Sequence, residues 1–338
     1  METVRCGFLF PSAPLEAVIP APGLDPLLPA VASPEQFQHW LKAGQVAADA
    51  LQFGKGLCVP GARLVEVVGA VEGRIRAAGL GQAFPCTLSV NQVAAHYTPT
   101  HDDLATLKEG DVVKVDCGAE LHGALSDNAL TVEVGANGKG PHQRLIEASE
   151  ACLKEAISII GPNCDLGTVG AAIEMTAREF GFKAVQNLTG HSLEPFNLHA
   201  GLTVPNVSMK IGRRPRIGDV LACEPFVTDG VAGRVENSGP GNIYHYQQGR
   251  PLRLPSMKKL LSTVEKRHPK LPFAERWLVD VLEPAKLGFN LGQLQKEALL
   301  KHYPALSEAS GGMVAQSEAT LVITEDGCVV TTKAKPAE

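Results

Sequence analysis

The order of helical and strand-like segments constrains the fold of this chain more than any other feature of its sequence. Amphipathic helices are predicted over residues 33–54 and 62–78, and again over 143–160 and 166–180. Each pair is followed by short apolar runs that are typical of strands. The duplication is one of architecture and not of sequence. It predicts an α+β fold, in which four helices back a curved antiparallel sheet.

The first predicted helix has the clearest boundaries. Ser33 is placed to cap the N-terminus, Pro34 suits the first helical position, and Gln36 completes a capping box. Gly54 is the predicted end of this helix. The predicted strands that follow the two helix pairs cover residues 112–115, 124–134, 220–223, 226–227, 315–324 and 329–332.

Two further segments differ from this pattern in composition. Residues 1–32 are rich in Pro and Ala without periodicity and are interpreted as an arm, which leaves 33–338 as the main domain. From about 250 to 303 the chain is punctuated by prolines, and helices are predicted over 256–268 and 292–302. We interpret this second segment as a helical insertion in the domain.

Charge and cysteine usage narrow the class of protein. The formal net charge of −5 argues against a nucleic-acid binder, which needs a surplus of basic side chains. None of the eight cysteines forms a C-x-x-C pair, and the N-terminal residues lack the features of a secretory signal. A cytoplasmic protein that is monomeric and binds neither nucleic acid nor membrane is therefore expected.

Carboxylates inside apolar strands are the first sign of chemistry. A hairpin centred between Leu121 and His122 would place Asp116 directly opposite Asp127 on the same face. Two facing carboxylates destabilise a strand pair unless a shared proton, a basic residue or a metal offsets their repulsion. A register error of one residue would instead turn one Asp towards solvent, so the hairpin alone leaves a metal site and a solvated face open.

Other strand-like and loop segments carry matching side chains. Glu224 and Glu318 lie in apolar runs, where a buried ionised carboxylate needs a cation or a partner. His191 and His199 lie eight residues apart in a Gly-bounded loop, and His96 follows two alanines. Four carboxylates with one imidazole suit one or two divalent ions such as Mn, Fe or Co, and they do not suit a thiolate zinc site.

These segments, taken in order, resemble the type II methionine aminopeptidases, which have the pita-bread fold. The resemblance runs from about Ser33 to Thr332 and rests on five segments. These segments are Phe84-Pro85 through Ala94-Ala95-His96-Tyr97-Thr98-Pro99, Gly110 to Asp127, Gly190-His191 through Leu198-His199-Ala200-Gly201, Glu224-Pro225-Phe226, and Ala315-Gln316 through Thr320. The insertion between Glu224 and Glu318 is typical of type II, and the short N-terminal arm is similar to that of archaeal members.

The resemblance implies a set of residue roles. It implies two divalent ions (Co, Mn, Fe or Zn) held by Asp116, Asp127, His191, Glu224 and Glu318. Further roles implied are catalysis by His96, His199 and Glu224, substrate contact by His96 and His199, and a methionine pocket that includes Phe84, Leu198 and Tyr303. The implied reaction removes the first methionine from peptides and nascent chains whose second residue is small.

The sequence departs from the family pattern at three positions, and two alternative functions follow from related proteins. Ala319 stands where the family usually has His, Ser317 where Phe is common, and Cys117 where aliphatic residues are common. None of the three is an implied metal ligand, so they bear on pocket shape or partner contacts. The alternatives are an X-Pro peptidase of the same fold and a catalytically silent scaffold that binds RNA.

Overall fold

The computed structural model describes residues 30–333. Most of the predicted arm, residues 1–29, lies outside this range, as do residues 334–338. The described end of the arm is packed against the domain, because Ala30 and Val31 are buried and the Val31 N–H donates to Gly218 O at 2.9 Å.

The described chain repeats the predicted order of helices and strands. The elements of the first half are α1 (Pro34–Leu57), α2 (Leu64–Ala77), β1 (Gly81–Val90), β2 (Val93–Ala95), β3 (Val112–Leu121), β4 (Ala124–Leu125) and β5 (Asn128–Glu133). The second half starts with α3 (Gln143–Ile159), α4 (Leu166–Glu179), β6 (Lys183–Ala184), β7 (Thr189–Leu193), β8 (Thr203–Pro205), β9 (Val220–Cys223) and β10 (Phe226–Thr228). It continues with β11 (Val235–Tyr246), α5 (Pro255–Arg267), β12 (Phe273–Ala274), α6 (Pro284–Lys296), β13 (Leu300–Glu308), β14 (Val314–Gln316), β15 (Ala319–Thr324) and β16 (Gly327–Val330).

Each helix pair packs on its own antiparallel strands, which gives the pita-bread arrangement. One apolar core joins α1 and α2 to β1 and β3, and a second core joins α3 and α4 to β9 and β15. The two halves meet where the Glu318 N–H donates to Ala129 O at 3.0 Å, between β5 and the start of β15. The α+β prediction is therefore confirmed. Residues of both halves line the seam between them.

The first helix begins as predicted but ends later. Ser33 Oγ accepts from the Gln36 N–H at 3.2 Å, while the Gln36 side chain accepts from the Ala32 N–H at 2.7 Å. The predicted end at Gly54 is wrong, because α1 continues to Leu57. Gly54 instead permits close packing on α2, since a Cβ there would lie 2.6 Å from Val71 Cγ2.

The predicted hairpin register is wrong by two residues. The turn consists of His122 and Gly123, both with positive φ (51° and 93°), and Leu121 pairs with Ala124. A two-residue turn with positive φ at both positions matches the twist of the flanking strands. Asp116 therefore pairs with Ala129. A shift of two residues leaves the direction of a side chain unchanged, so Asp116 and Asp127 still share a face.

Two predicted continuous strands are each divided. The run 124–134 separates into β4 and β5 around Ser126 and Asp127, and the run 315–324 separates into β14 and β15 around Ser317 and Glu318. Periodicity does not detect such breaks, because the residues on both sides of them remain buried.

The insertion is helical, with a strand at its end. Helices α5 and α6 share an apolar core of their own that includes Leu260 and Leu291. The predicted helix over 292–302 is wrong, because α6 ends at Lys296 and Leu300 to His302 lie in β13, paired with β11. Pro284 is the first residue of α6, where a proline is tolerated. Within residues 30–333, no helix is long and apolar enough to span a bilayer.

Candidate metal centre

A single cleft with about 540 Å³ of free space opens at the seam between the two halves. It brings together all ten side chains that the sequence singled out. These are Phe84, His96, Asp116, Asp127, His191, Leu198, His199, Glu224, Tyr303 and Glu318. No Lys or Arg is among the described residues that line it.

The five metal-ligand candidates converge at one end of the cleft. His191 Nε2 lies 3.5 Å from Asp127 Oδ2 and 3.9 Å from Glu224 Oε1. Ligand atoms of Asp127, His191 and Glu318 all lie within 4.8 Å of one another. His191 is held on β7, opposite Ala222 of β9, so the imidazole reaches the carboxylates from a strand flanked on both sides.

Three of the carboxylates lie at breaks between strands. Asp127 separates β4 from β5, Glu224 separates β9 from β10, and Glu318 separates β14 from β15. Their backbone groups still find partners outside the ladders: the Asp127 N–H donates to Thr320 Oγ1 at 2.7 Å, and Thr320 Oγ1 donates to Asp127 O at 2.8 Å. A break that leaves no buried backbone group unpaired frees the side chain to point into the cleft.

Asp116 reaches the same point from the interior of β3. It pairs with Thr87 of β1 and Ala129 of β5, and its Oδ1 atom is buried without a hydrogen-bond partner. A buried carboxylate oxygen without a donor is costly. An unpaired acceptor aimed into a cleft without basic side chains is what a cation site requires.

Burial and mutual repulsion alter the acidity of this cluster. Burial, and then the charge of Asp127, raises the pKa of Asp116 well above its ordinary value. Burial and the neighbouring carboxylates likewise raise the pKa values of Glu224 and Glu318. Bound divalent cations would reverse this, because they favour the ionised carboxylates. The donor set of four carboxylates and one imidazole therefore fits hard or borderline divalent metals.

The two other histidines stand beside the cluster. The His199 ring lies 4.3 Å from the His191 ring and 6.4 Å from the Tyr303 ring, and the His96 ring meets Tyr303 edge-on at 5.7 Å. Burial, with the positive charge of Lys301, lowers the pKa of His96 to about 4. Burial, and then the neighbouring His191, also lowers the pKa of His199. Both rings are therefore neutral near pH 7, and each carries one N–H donor.

The backbone holds His96 in an unusual conformation. Its φ of 66° lies in the left-handed region, which a residue with a Cβ adopts at a cost. The following residues are fixed to β11, because the Thr98 N–H donates to Gly241 O at 3.2 Å and Asn242 Nδ2 donates to Thr98 O at 2.8 Å. These hydrogen bonds hold the strained segment in place and keep the imidazole at the cleft.

The apolar wall of the cleft comes from both the domain and the insertion. Phe84 and Leu198 are almost fully buried in an apolar cluster with Trp40 and Leu193, and Tyr303 of β13 lines the same cleft. Phe84 fits because its strand partner is Gly118, where a Cβ would lie 2.5 Å from Phe84 Cε1. An apolar pocket beside a group of carboxylates suits a substrate with an apolar side chain and a free amine.

Sequence reasoning did not assign a role to several residues of the site. Ile243 lines the cleft opposite Tyr303, and Pro272 lines it from the insertion. Gln316 donates to Glu318 Oε2 at 3.1 Å, and Thr320 fixes the backbone of Asp127. The position of Gln316 two residues before Glu318 was the available signal, since alternate residues of a strand share a face.

Comparisons with known proteins identify the family of the chain. The model of metallopeptidase family M24 matches residues 38–325. The methionine aminopeptidase of Methanocaldococcus jannaschii is 40% identical over 299 residues, which cover 88% of this chain and 99% of that protein. The crystal structure of methionine aminopeptidase from Thermotoga maritima has a TM-score of 0.66 at 24% identity, covering 90% of this chain and all of that one. The structure of a thermophilic Arx1 has a TM-score of 0.78 at 17% identity, covering 91% and 93% of the two chains, which is a likeness of fold alone.

Proposed function

Because the chain belongs to the methionine aminopeptidases of metallopeptidase family M24, we propose that it removes the N-terminal methionine from peptides and nascent chains whose second residue is small. One structural observation carries the proposal. Four carboxylates and an imidazole converge beside an apolar pocket, in a cleft whose described lining contains no basic side chain other than histidine. The resemblance of the insertion adds the assignment to type II.

In this proposal Asp116, Asp127, His191, Glu224 and Glu318 hold two divalent ions, either Co, Mn, Fe or Zn. Bound there, such ions would activate a water molecule and polarise the scissile carbonyl group. The free α-amino group of the substrate would bind one of these ions, which would explain exopeptidase action, since an internal residue of a chain has no such group.

The protein side chains supply proton transfer and orientation. Glu224 accepts the proton of the attacking water and passes it to the amine that leaves when the C–N bond breaks. His96 and His199, both neutral, donate hydrogen bonds to the scissile carbonyl oxygen and the developing oxyanion. Phe84, Leu198 and Tyr303 receive the methionine side chain and exclude water from it.

The first test is cleavage of Met-Ala-Ser by metal-reconstituted protein. We expect free methionine from the wild type and a loss of at least about a hundredfold in His191→Ala, because an imidazole ligand is removed. The matched control is His142→Ala. Because His142 lies outside the cleft, this variant should cleave Met-Ala-Ser as the wild type does. Unchanged cleavage by His191→Ala would contradict the proposal.

The same assay separates the alternatives. An X-Pro peptidase would prefer Ala-Pro or Ala-Pro-Ala to Met-Ala-Ser, and a silent scaffold would cleave none of them. Elemental analysis provides the second readout, because a scaffold that has lost its site would retain no divalent metal. The negative net charge and the complete set of five ligand side chains favour the peptidase.

The proposal also covers the setting of the enzyme. Metallopeptidase membership and the absence of a spanning helix within residues 30–333 are compatible with a cytoplasmic monomer that binds no nucleic acid. Gel filtration with light scattering tests the monomer, since a dimer would double the mass of about 36 kDa.

A further inference from the structure

A second chamber with about 540 Å³ of free space adjoins the metal cleft on the side of the insertion. We call it the outer chamber; His245, Gln247, Lys270 and Lys301 line it, and it shares Leu198, His199, Pro272 and Tyr303 with the metal cleft. A peptide whose amino end lies at the carboxylates can leave the cleft past these four shared residues. The outer chamber is the open space directly beyond them.

The charge of the outer chamber is opposite to that of the metal cleft. Its described lining includes two lysines and no carboxylate. Lys301 Nζ lies 4.5 Å from the centre of the Tyr303 ring, and Lys270 Nζ lies 4.8 Å from that of Phe196. Neither ammonium group forms an ion pair with a carboxylate in residues 30–333, so both charges are available to a ligand.

The backbone around the two lysines is fixed. Lys301 of β13 pairs with His245 of β11, and His245 Nε2 lies 3.0 Å from Lys270 O. Gln247 Nε2 in turn lies 2.8 Å from His245 Nδ1. Strand pairing and these contacts join the two lysine-bearing segments, so the positive charges keep a defined position relative to Tyr303.

The distance to the reacting bond limits which substrate residue can reach this chamber. The ring centres of His191 and His199 are 4.3 Å apart, those of His199 and Tyr303 are 6.4 Å apart, and Lys301 Nζ lies 4.5 Å from the centre of the Tyr303 ring. An extended peptide advances about 3.4 Å per residue. Lys301 Nζ therefore lies at most about four extended residues from His191, so the third and fourth residues of a bound peptide are the ones that can reach the outer chamber.

We propose that Lys270 and Lys301 form a subsite that selects peptides with an acidic side chain at the third or fourth residue. The inference rests on the proposed function, because it needs the peptide to be bound with its amino end at the carboxylates. It adds a recognition element beyond the small second residue. The ligand chemistry is a carboxylate on a peptide side chain, met by two ammonium groups at the edge of the cleft.

The experiment compares Met-Ala-Glu-Ser, Met-Ala-Gln-Ser and Met-Ala-Lys-Ser on the metal-loaded full-length enzyme. We expect kcat/KM for the Glu peptide to exceed that for the Gln peptide by about three- to fivefold at low ionic strength, the range of solvent-exposed ion pairs. The Lys peptide should be cleaved more slowly than the Gln peptide. The preference should fall as salt is added.

Two variants test the residues. The double variant Lys270→Glu with Lys301→Glu should reverse the order of kcat/KM between the Glu and Lys peptides. Lys258 is an exposed residue of α5, and Lys258→Glu should leave that order unchanged. The ratio between peptides is the readout, because a merely structural effect would alter all three rates alike. Equal kcat/KM values for the three peptides on the wild type would overturn the subsite and leave the proposed function standing. Failure to cleave any of them would overturn the proposed function itself.

Discussion

The metal-site carboxylates depend on side chains that contact neither the substrate nor a metal. Gln316 illustrates this: its amide donates to Glu318 Oε2 at 3.1 Å, and its backbone N–H is held by Thr131 Oγ1 at 2.8 Å. Gln316 is itself buried, and its side chain also favours the ionised form of Asp116. One neutral amide therefore orients two carboxylates that repel each other.

Replacement of this amide should weaken metal binding more than it weakens the fold. For Gln316→Leu, which keeps the volume and removes the donor, we predict a roughly tenfold lower metal affinity, the lower end of the range for groups that orient ligands. Titration of the metal-free protein with Mn or Co measures this directly.

Gln316→Glu is the companion variant. Because it adds a fifth carboxylate to the cluster, the metal-free form of this variant should be less stable than the metal-free form of Gln316→Leu. If Gln316→Leu bound metal as tightly as the wild type, the orienting role of the amide would be disproved.

At the scale of elements, the insertion is attached to the domain by a buried ion pair. Arg276 of the insertion contacts Glu72 of α2, and both side chains are less than a tenth exposed. Glu72 also accepts from Trp277 Nε1 at 3.0 Å and from the Cys86 N–H at 3.2 Å, so its charge is fully hydrogen-bonded. Arg276 further donates to Thr98 Oγ1, which connects the insertion to the segment that carries His96.

Loss of one partner of this pair should be costly. We predict that Arg276→Met lowers the free energy of unfolding by about 3 kcal/mol, the lower end for a broken buried pair, because the buried Glu72 carboxylate keeps only the half-exposed Arg76 at 3.9 Å as a charged partner. Arg267→Met is the matched control in the same insertion. Its partner Asp280 is half exposed, and the loss there should stay within about 1 kcal/mol. Urea denaturation of both variants provides the comparison, and equal losses would contradict a special role for Glu72.

The insertion also shows which elements periodicity predicts. Helix α5 was predicted within one residue because an amphipathic pattern and a leading proline coincide there. The segment 292–302 was assigned to a helix, although Leu300 to His302 pair with β11. A single buried leucine fits either period, so only the partner strand determines that these residues are extended.

At the scale of the whole molecule, the acidic cluster makes metal and pH act on stability together. Burial raises the pKa values of Asp116, Glu224 and Glu318 in the metal-free protein. The folded form then retains protons that the unfolded chain releases above its ordinary carboxyl pKa of about 4. Below about pH 6.5, His96 and His199 act in the opposite sense, because burial lowers their pKa values in the folded protein. The stability of the metal-free protein should therefore fall as the pH rises from about 6.5 to about 8, where the imidazoles are neutral in both states and the carboxylate effect remains.

Chelation should accordingly lower the Tm, and the gap between metal-loaded and metal-free protein should widen from about pH 6.5 to about pH 8. One site at a free metal concentration of a hundred times Kd contributes about 2.7 kcal/mol. Differential scanning calorimetry with and without chelator measures the gap.

The variant Glu224→Gln tests whether repulsion and burial of the carboxylates cause the loss of stability. Because it removes one of these carboxylates, the metal-free variant should melt above the metal-free wild type at neutral pH. A metal-free Tm that rises between about pH 6.5 and about pH 8 would contradict this account.

The sequence alone determined the α+β architecture, because helix caps and amphipathic periods are local signals. It also predicted the candidate site, from carboxylates in apolar runs and from the family resemblance. All ten residues that it singled out line one cleft. Tertiary structure decided the register of the β3 hairpin, the extent of α1 and the positions of the strand breaks. These features depend on contacts between residues far apart in the chain, such as Asp127 with Thr320 and Ala129 with Glu318, whose hydrogen bonds no local pattern encodes.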